Sequence, residues 1–492
     1  MVERTFQLAA MWRSFLALGA GNYGAMAVGL VVNALLARRL GTEQYGRLAL
    51  MLMASQVLLI VAVNWSHVGF VRFGAQEFAS KGAVTETLWT RLGIVLPAAG
   101  LSAIAIVIAR QPLAAYLGIP LAGVWLILVH FVAVCALSMI GAVFQAYDQM
   151  ARYGVCLFLD KAVMLLSIVV LPAAWTVDPV NVLACYAASS LSVVIWGVSV
   201  VGAQSMRPAF PTRSAYRHMV LFSAPLLLSS WAGFFAANWF DLVILKWYVP
   251  MSSIGVYALA TQLTGVVQQI TIIFSTLLLP RLSVMVAEGQ DARIRMLMER
   301  LVPYWLLATS VLFVLILLGV RVGLPLVFGQ SFSGAAPILA LLMVATSALA
   351  LFNACAPLVS AYGSTWVLTG IVLVSAVSNV VLDLMLIPRL GIAGSALATV
   401  LAYGSSAVLV LVFLQRKIGG KVLRLGWLSA PVLAACVCFM LLDGPWFYAA
   451  APVTAVISVL ALVGGFRLFH NEDAVFLKEL RLPMPFSLGG RC

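Results

Sequence analysis

The sequence has few charged and few titratable side chains. Only 9% of its 492 residues are Asp, Glu, Lys or Arg, and it contains 4 His and 7 Cys. Hydrophobic residues make up 63%, and the mean hydropathy is +1.09. Soluble domains are roughly half apolar and about a quarter charged, and disordered chains carry still fewer apolar residues. The composition therefore excludes both classes and predicts a membrane protein.

Long stretches without charge indicate how the chain crosses the bilayer. Residues 14–37, 179–206, 247–280, 301–320, 390–415 and 444–466 contain no charged side chain. These runs are continuous, as in membrane helices of about 20 residues, whereas barrel strands alternate polar and apolar residues. We therefore predict an all-α polytopic membrane protein with about 14 transmembrane helices. The predicted spans are 15–36, 46–66, 88–109, 121–146, 154–174, 182–203, 219–245, 254–279, 301–320, 336–358, 366–387, 393–414, 426–442 and 446–466.

The net charge of +13 predicts orientation rather than nucleic-acid binding. With both termini on one side of the membrane, that side receives 21 Lys and Arg and the other receives 7. Because cytoplasmic loops are enriched in Lys and Arg, this bias predicts cytoplasmic termini. The first span has full spanning length, so we expect it to be retained rather than cleaved as a signal.

No motif predicts a cofactor, a metal site or a nucleic-acid partner. The four His are scattered, and no Cys-x-x-Cys pair occurs. The sequence contains no Walker A and no G-x-S-x-G motif, and no G-x-G-x-x-G motif stands in the strand–turn–helix context that dinucleotide binding requires. The sequence therefore gives no sign of an ATP-hydrolysing domain.

A weak internal repeat appears when the sequence is shifted by 209 residues. The positions that coincide are Gly46 with Gly255, Ala49 with Ala258, Arg72 with Arg281, Tyr153 with Tyr362, Gly154 with Gly363 and Pro179 with Pro388. The repeat predicts two six-helix bundles, residues 1–209 and 210–418, followed by two extra helices and a cytoplasmic tail, residues 419–492. Since six is even, both bundles insert in the same orientation, as in parallel-repeat transporters.

Four local motifs resemble those of bacterial oligosaccharide flippases, the polysaccharide branch of the multidrug/oligosaccharidyl-lipid/polysaccharide (MOP) superfamily. They are LLARRLGTEQYGRLAL at 35–50, VRFGAQE at 71–77, LPRLS at 279–283 and LGIAGSALATVLAYG at 390–404. The resemblance extends over nearly the whole chain. These motifs concern turns and packing rather than chemistry, so they specify the family better than the cargo.

The resemblance implies a transporter, not an enzyme, in the bacterial cytoplasmic membrane. It implies that an undecaprenyl-diphosphate-linked oligosaccharide moves to the outer leaflet by alternating access of the two bundles, for O-antigen, capsule or exopolysaccharide assembly. The implied partners are this lipid-linked oligosaccharide, membrane lipids, a polysaccharide polymerase, chain-length proteins and a coupling ion, H⁺ or Na⁺.

In the resembled fold, spans 1, 2, 7 and 8 line a central cleft. Their amide side chains suit hydrogen bonding to sugars and are therefore our candidate cargo-binding groups. The alternative is that they only join helices to one another, at about 1 kcal/mol per contact. These residues are Asn22, Asn33, Asn64, Asn238, Gln262 and Gln269.

Ionisable groups inside spans are costly and so point to function. Lys161 is the candidate contact for the cargo diphosphate, unless it is paired locally or reaches towards the interface. Asp241 and Asp383 are candidates for ion coupling, unless Asp241 only pairs with Lys246. The repeat-related Arg72 and Arg281 are candidates for diphosphate capture at the cytoplasmic mouth, or are simple topology anchors.

Other functions remain open from the sequence alone. A drug exporter coupled to a cation or a peptidoglycan-precursor flippase would share the architecture. A membrane-embedded polysaccharide polymerase or acyltransferase would belong to another class. No large outer loop of the polymerase type is present, and His130 is the sole intramembrane His. A structural scaffold would not need repeated bundles with polar faces.

Overall fold

The computed structural model describes residues 2–174, 176–201, 209–236, 238–363, 365–419, 422–442 and 444–466. All regular structure within these ranges is helical. The helices are α1 (Val2–Leu59), α2 (Trp65–Lys81), α3 (Thr85–Ile108), α4 (Arg110–Leu117), α5 (Leu121–Ala146), α6 (Met150–Ala174), α7 (Pro179–Val201), α8 (Arg213–Ala236), α9 (Asn238–Tyr248), α10 (Met251–Ala287), α11 (Asp291–Phe328), α12 (Ala335–Ala361), α13 (Thr365–Leu390), α14 (Ile392–Ile418), α15 (Ala430–Leu441) and α16 (Pro445–Phe466). A π-helical turn, Ile60–Asn64, joins α1 to α2.

Thirteen of the described helical segments are long and apolar enough to cross a membrane. The first, Leu18–Lys81, has 64 residues and would reach about 96 Å at the helical rise of about 1.5 Å per residue. That length accommodates two crossings of a core about 30 Å thick, in keeping with the expected number of about fourteen. The prediction of an all-α polytopic membrane protein is confirmed.

The predicted loop between the first two spans is almost entirely helical. Only Gly41 leaves the helical conformation, with φ of 68° and ψ of 177°, a combination that favours glycine. The flanking arginines bind the ends of other helices: Arg38 donates to the carbonyls of Leu326 and Val327, and Arg39 donates to Ile168 O at 2.8 Å. The motif at 35–50 therefore forms a kinked helix that is tied to its neighbours.

Internal packing divides the chain into two compact units. The first contains Met1–Val266, Val322–Ile338 and Val372–Thr399, and the second contains Val267–Arg321, Leu339–Ile371 and Val400–Cys492. The predicted repeat boundaries after residues 209 and 418 remain a prediction. Both candidate sites described below lie in the first unit.

The two extra helices are fixed within the second unit by Arg321. Its guanidinium lies 4.5 Å and 4.7 Å from the ring centres of Phe439 and Phe447, and it donates to the carbonyl of Phe439. These contacts attach α15 and α16 to α11. Cation–π contacts of this kind are strongest where water is excluded.

Candidate functional site

A cavity of about 430 Å³ lies among α1, α2, α5, α6 and α10 of the first unit. This volume lies within the range of small-molecule pockets. Its polar lining residues are Asn22, Asn33, His67, Ser138, Tyr153, Asp160 and Lys161. Three of these seven, Asn22, Asn33 and Lys161, are candidate residues that the sequence predicted. The remaining lining residues are mostly aliphatic or small.

Close helix packing shapes the wall of this cavity. A Cβ atom on Gly21 would overlap the backbone of Gly154, so α1 and α6 touch through their main chains. Next to this contact, Tyr153 and Asn22 line the cavity. Glycine is needed here because any side chain would separate the two helices.

Lys161 is held by a local ion pair at the cavity wall. Its Nζ lies 2.9 Å from Asp160 Oδ2, and Asp160 Oδ1 accepts hydrogen bonds from Ser190 Oγ at 2.9 Å and Ser189 Oγ at 3.3 Å. The Lys161 side chain is 37% exposed, whereas that of Asp160 is 12% exposed. Lys161 is therefore paired locally with Asp160, as the alternative interpretation expected. Part of its side chain still faces the cavity.

Tyr45 connects two of the predicted amides. Its hydroxyl lies 3.3 Å from Asn33 Oδ1 on α1 and 3.1 Å from Gln262 Oε1 on α10. Asn33 thus lines the cavity and also takes part in a contact between helices. The two interpretations of these amides, cargo binding and helix joining, are compatible at this residue.

Two predicted cargo-binding residues, Asn64 and Gln269, do not join this arrangement. Asn64 is exposed in the π-helical turn, and Gln269 is exposed on α10; neither lines the cavity. The side chain of Asn238, at the first residue of α9, lies outside the described part of the structure.

Of the two arginines predicted at the cytoplasmic mouth, Arg72 and Arg281, the structure describes the side chain of Arg72 alone. Arg72 is exposed on α2, with its guanidinium 4.6 Å from the ring centre of Phe222 on α8 and 5.7 Å from that of Phe73. Behind it, a Cβ on Gly69 would overlap the hydroxyl of Ser223. Arg72 therefore covers a close contact between α2 and α8. The side chain of Arg281 lies outside the described residues.

Asp241 and Asp383 form a buried carboxyl pair. Asn379 Nδ2 donates to Asp241 Oδ1 at 3.0 Å and to Asp383 Oδ2 at 3.2 Å. The Tyr257 hydroxyl donates to Asp241 Oδ2 at 2.5 Å and accepts from Ser395 Oγ at 3.0 Å. Each of these five residues is buried, and they come from α9, α10, α13 and α14. Asp241 therefore uses partners other than Lys246.

The carboxyl pair is suited to binding a small cation or a proton. Asn379 Nδ2 bridges the two carboxyl groups by hydrogen bonds to both of them. Buried carboxylates this close repel one another unless a proton or a cation lies between them. Asn379 Oδ1 and Asp383 Oδ1 have no hydrogen-bond partner among the described residues. These two unpartnered atoms are both oxygens, the ligands that hard cations prefer.

Arg91 is a functional candidate that the sequence analysis missed. Its charge was counted with those of the cytoplasmic loops, although residue 91 also falls at the start of the predicted span 88–109; the structure places it in the second turn of α3, where it is 0% exposed. The start of α3 is fixed by Glu77, whose carboxylate accepts the backbone N–H groups of Glu86 at 2.9 Å and Thr87 at 2.8 Å. Thr85 and Glu86 are typical first-turn residues and could have placed Arg91 inside the helix.

Known proteins resemble this chain in family and in fold. A probable low-salt glycan biosynthesis flippase of Haloferax volcanii is 22% identical over 249 residues, which are 50% of this chain and 52% of that protein. The chain thus matches about half the length of that relative. The inward closed conformation of the lipid II flippase MurJ superposes with a TM-score of 0.69 at 11% identity, over 94% of this chain and 99% of that structure.

A second solved structure supports the same fold. The inward-facing conformation of a multidrug resistance MATE family transporter of the MOP superfamily gives a TM-score of 0.64 at 12% identity, over 80% of this chain and 94% of that one. These similarities establish an all-helical transporter fold of the MurJ and MATE type.

The sequence family is established by a longer match. The family model described as "Polysaccharide biosynthesis protein" matches residues 11–286, more than half of the chain. That range contains all the cavity-lining residues and the first member of the carboxyl pair. The chain therefore belongs to the polysaccharide biosynthesis protein family.

Proposed function

We propose that this protein is a flippase that moves an undecaprenyl-diphosphate-linked oligosaccharide from the cytoplasmic to the outer leaflet of a bacterial cytoplasmic membrane. The product would supply O-antigen, capsule or exopolysaccharide assembly, with a polysaccharide polymerase and chain-length proteins acting afterwards. The observation that carries the proposal is a cavity with seven polar lining residues inside an otherwise apolar helical body.

The cavity would let a polar head group pass the hydrocarbon core of the bilayer. Sugars and a diphosphate cannot cross hydrocarbon alone, because each unsatisfied polar group costs several kcal/mol there. The amides of Asn22 and Asn33 donate and accept hydrogen bonds, as sugar hydroxyls require. Lys161 adds a positive charge beside them. The polyprenyl tail would remain in the bilayer while the head occupies the cavity.

Alternating access requires helix contacts that can open in turn. By the charge rule, the α2–α8 contact at Gly69 and Ser223 lies towards the cytoplasmic side. The α1–α10 contact at Gly46 and Gly255 lies towards the outer side. Both contacts are small-residue crossings, which separate without leaving large side chains in the path.

The carboxyl pair is our proposed coupling site for H⁺ or Na⁺. Asp241 lies in the first turn of α9 and Asp383 lies towards the end of α13, and a cation or proton bound between the two carboxyl groups would relieve their repulsion. If the pair binds a cation more tightly in one conformation than in the other, cation binding shifts the equilibrium towards the tighter-binding conformation. The size of the shift is set by the ratio of the two affinities. This is how an ion gradient can drive movement without an ATPase domain.

The main alternative functions are transport of other cargoes by the same fold. The fold is shared with a peptidoglycan-precursor flippase and with multidrug transporters. A cavity lined by amides and one lysine, rather than by aromatic rings alone, favours a sugar-bearing head over an apolar drug. Transport remains favoured over polymerase or acyltransferase chemistry, since His130 Nδ1 lies 2.9 Å from Ser55 Oγ and no carboxylate of the described residues is bound to that ring.

The proposal is tested by filling the cavity. Gly29 lines it, and a Cβ added there would have no neighbour within 4 Å, so Gly29→Leu occupies the cavity volume. Gly100→Leu is the control, because Gly100 on α3 is exposed and equally free of neighbours. In a deletion strain, we expect Gly100→Leu to restore the surface glycan. Gly29→Leu should leave lipid-linked repeat units on the inner leaflet. A deletion strain that displays its glycan with no substitute flippase contradicts the function.

A further inference from the structure

Arg91 carries a positive charge that the described protein does not neutralise. Its Nη1 and Nη2 atoms are buried and have no hydrogen-bond partner among the described residues. Nε donates to Ser66 Oγ at 3.3 Å, and the guanidinium lies 5.1 Å from the ring centre of Phe70. These contacts position the group but leave both terminal nitrogens free.

No carboxylate pairs with this guanidinium in the described structure. The ion pairs there join Arg47 to Glu43, Lys81 to Glu86 and Lys161 to Asp160. The charge-bearing or ionisable groups close enough to interact with Arg91 are His67 and Cys135. An isolated buried cation is costly in protein and in membrane alike. A binding role explains why the charge is kept.

Arg91 is next to the walls of two cavities. His67, which follows the Arg91 partner Ser66 on α2, lines the main cavity. Thr90, which precedes Arg91 on α3, lines a second cavity of about 270 Å³ with Thr87 and His218. Arg91 itself lines neither cavity, and Glu77 and Glu86 also line the second one, so an anion reaches the guanidinium only when α2 and α3 move apart.

We propose that Arg91 binds the diphosphate group of the lipid-linked cargo, an assignment that rests on the proposed function. A guanidinium presents its two Nη groups in a planar fork that matches two oxygens of a phosphoryl group. The diphosphate supplies the missing counter-charge, and the sugars then lie against the amides of the main cavity. Lys161, already paired with Asp160, is not required as the main diphosphate contact.

Binding is measured on the purified protein in phosphatidylcholine nanodiscs, with farnesyl diphosphate as the probe. We expect Arg91→Gln to weaken binding at least about ten-fold, the effect of losing one or more charge-assisted hydrogen bonds. Arg91→Lys keeps the positive charge but loses the planar pair of Nη donors. Its affinity for farnesyl diphosphate should therefore fall between those of the wild type and Arg91→Gln. Arg152→Gln removes an exposed arginine and should bind like the wild type. Equal affinity of wild type and Arg91→Gln overturns the proposal.

Two further probes identify the source of the phosphoryl group. If inorganic pyrophosphate binds as tightly as farnesyl diphosphate, the site takes free anions and the cargo assignment is wrong. If phosphatidylglycerol in the nanodisc displaces farnesyl diphosphate at Arg91, the site belongs to a membrane phospholipid and the assignment is again wrong. Binding that resists both competitors and depends on Arg91 supports it.

Stability separates a binding role from a structural one. Arg91→Met removes an unpaired buried charge, so without ligand the variant should unfold at a temperature no lower than the wild type. Farnesyl diphosphate should then stabilise the wild type and not the variant. A less stable Arg91→Met variant that is still stabilised by the probe overturns the proposal, and this holds even if Arg91→Gln does not fold.

Transport distinguishes this site from the proposed function. If the wild type moves lipid-linked oligosaccharide and Arg91→Lys moves it equally fast at limiting cargo, the Arg91 assignment fails and the function stands. If the wild type binds farnesyl diphosphate through Arg91 but moves no lipid-linked oligosaccharide, the proposed function fails and the anion site stands.

Discussion

Gly46 on α1 and Gly255 on α10 lie against each other, although 209 residues separate them. A Cβ on Gly46 would lie 2.9 Å from the nitrogen of Gly255, and a Cβ on Gly255 would lie 3.0 Å from the nitrogen of Gly46. The contact is nearly symmetric. Equivalent residues of two repeats meet only near the axis that relates them, so this pair supports a twofold relation between the predicted bundles.

The glycine contact should not tolerate a side chain. Gly255→Ala would overlap the carbonyl oxygen of Thr42, a backbone atom that cannot rotate away. We expect a loss of about 1–3 kcal/mol in the free energy of unfolding, as for overpacked cores. Gly100→Ala, with open space around it, should be neutral or slightly stabilising. Thermal unfolding in detergent measures both, and an equally stable Gly255→Ala would refute the close approach.

The Asp160–Lys161 pair should show strong coupling between its members. Lys161→Met leaves a mostly buried carboxylate unpaired, and we expect a loss of about 1–3 kcal/mol. That value is below the cost for a fully buried pair because Lys161 is 37% exposed. The double variant Asp160→Asn, Lys161→Met should recover much of this stability.

Transport by the double variant then decides the role of Lys161. If the pair is only structural, the stable double variant transports normally. If Lys161 also contacts the head group from the cavity wall, transport falls although the protein is folded. Losses that simply add in the double variant would contradict the ion pair itself.

The carboxyl pair should carry the dependence on the coupling ion. Asp241→Asn and Asp383→Asn remove the charge that holds a cation but keep the shape, so we expect transport to lose its response to a Na⁺ or H⁺ gradient. Applying each gradient separately in proteoliposomes identifies the ion. Glu288→Gln, at an exposed position beyond α10, is the control. An undiminished gradient response in both Asn variants would exclude the pair as the coupling site.

The α2–α8 contact should have to open during transport. A Cβ on Gly69 would lie 3.7 Å from Ser223 Cβ, within the usual range for a disulfide of about 3.5–4.5 Å. The pair Gly69→Cys, Ser223→Cys should therefore cross-link under oxidation and stop transport, and a reductant should restore it. Gly69→Cys alone controls for the added side chain. Full transport by the cross-linked protein would show that this contact is not a gate.

Fold class and much of the cavity were predictable from sequence, because charge-free runs and helical spacing are local properties. Asn22 and Asn33 share a helix face, and both line the cavity. The link from Asp383 to Asn379, four residues apart on α13, follows from the same periodicity.

Contacts across helices were not predictable in the same way. Nothing local in the sequence indicates that Tyr257 and Ser395 complete the Asp241 cluster, because these residues come from different helices. Arg91 was counted with the loop charges although it also fell in the predicted span 88–109, since helix ends are uncertain by a few residues. Burial, which sequence periodicity did not reveal, is what makes Arg91 notable.

The central claim is tested most directly by reconstitution into sealed proteoliposomes. Undecaprenyl-diphosphate-linked oligosaccharide is placed in both leaflets, and the fraction open to an added glycosidase is measured with time. We predict that wild-type protein exposes the cargo of the inner leaflet and that Gly29→Leu does not, whereas Gly100→Leu behaves like the wild type. Cargo that stays protected with wild-type protein, with either ion gradient applied, would contradict the account.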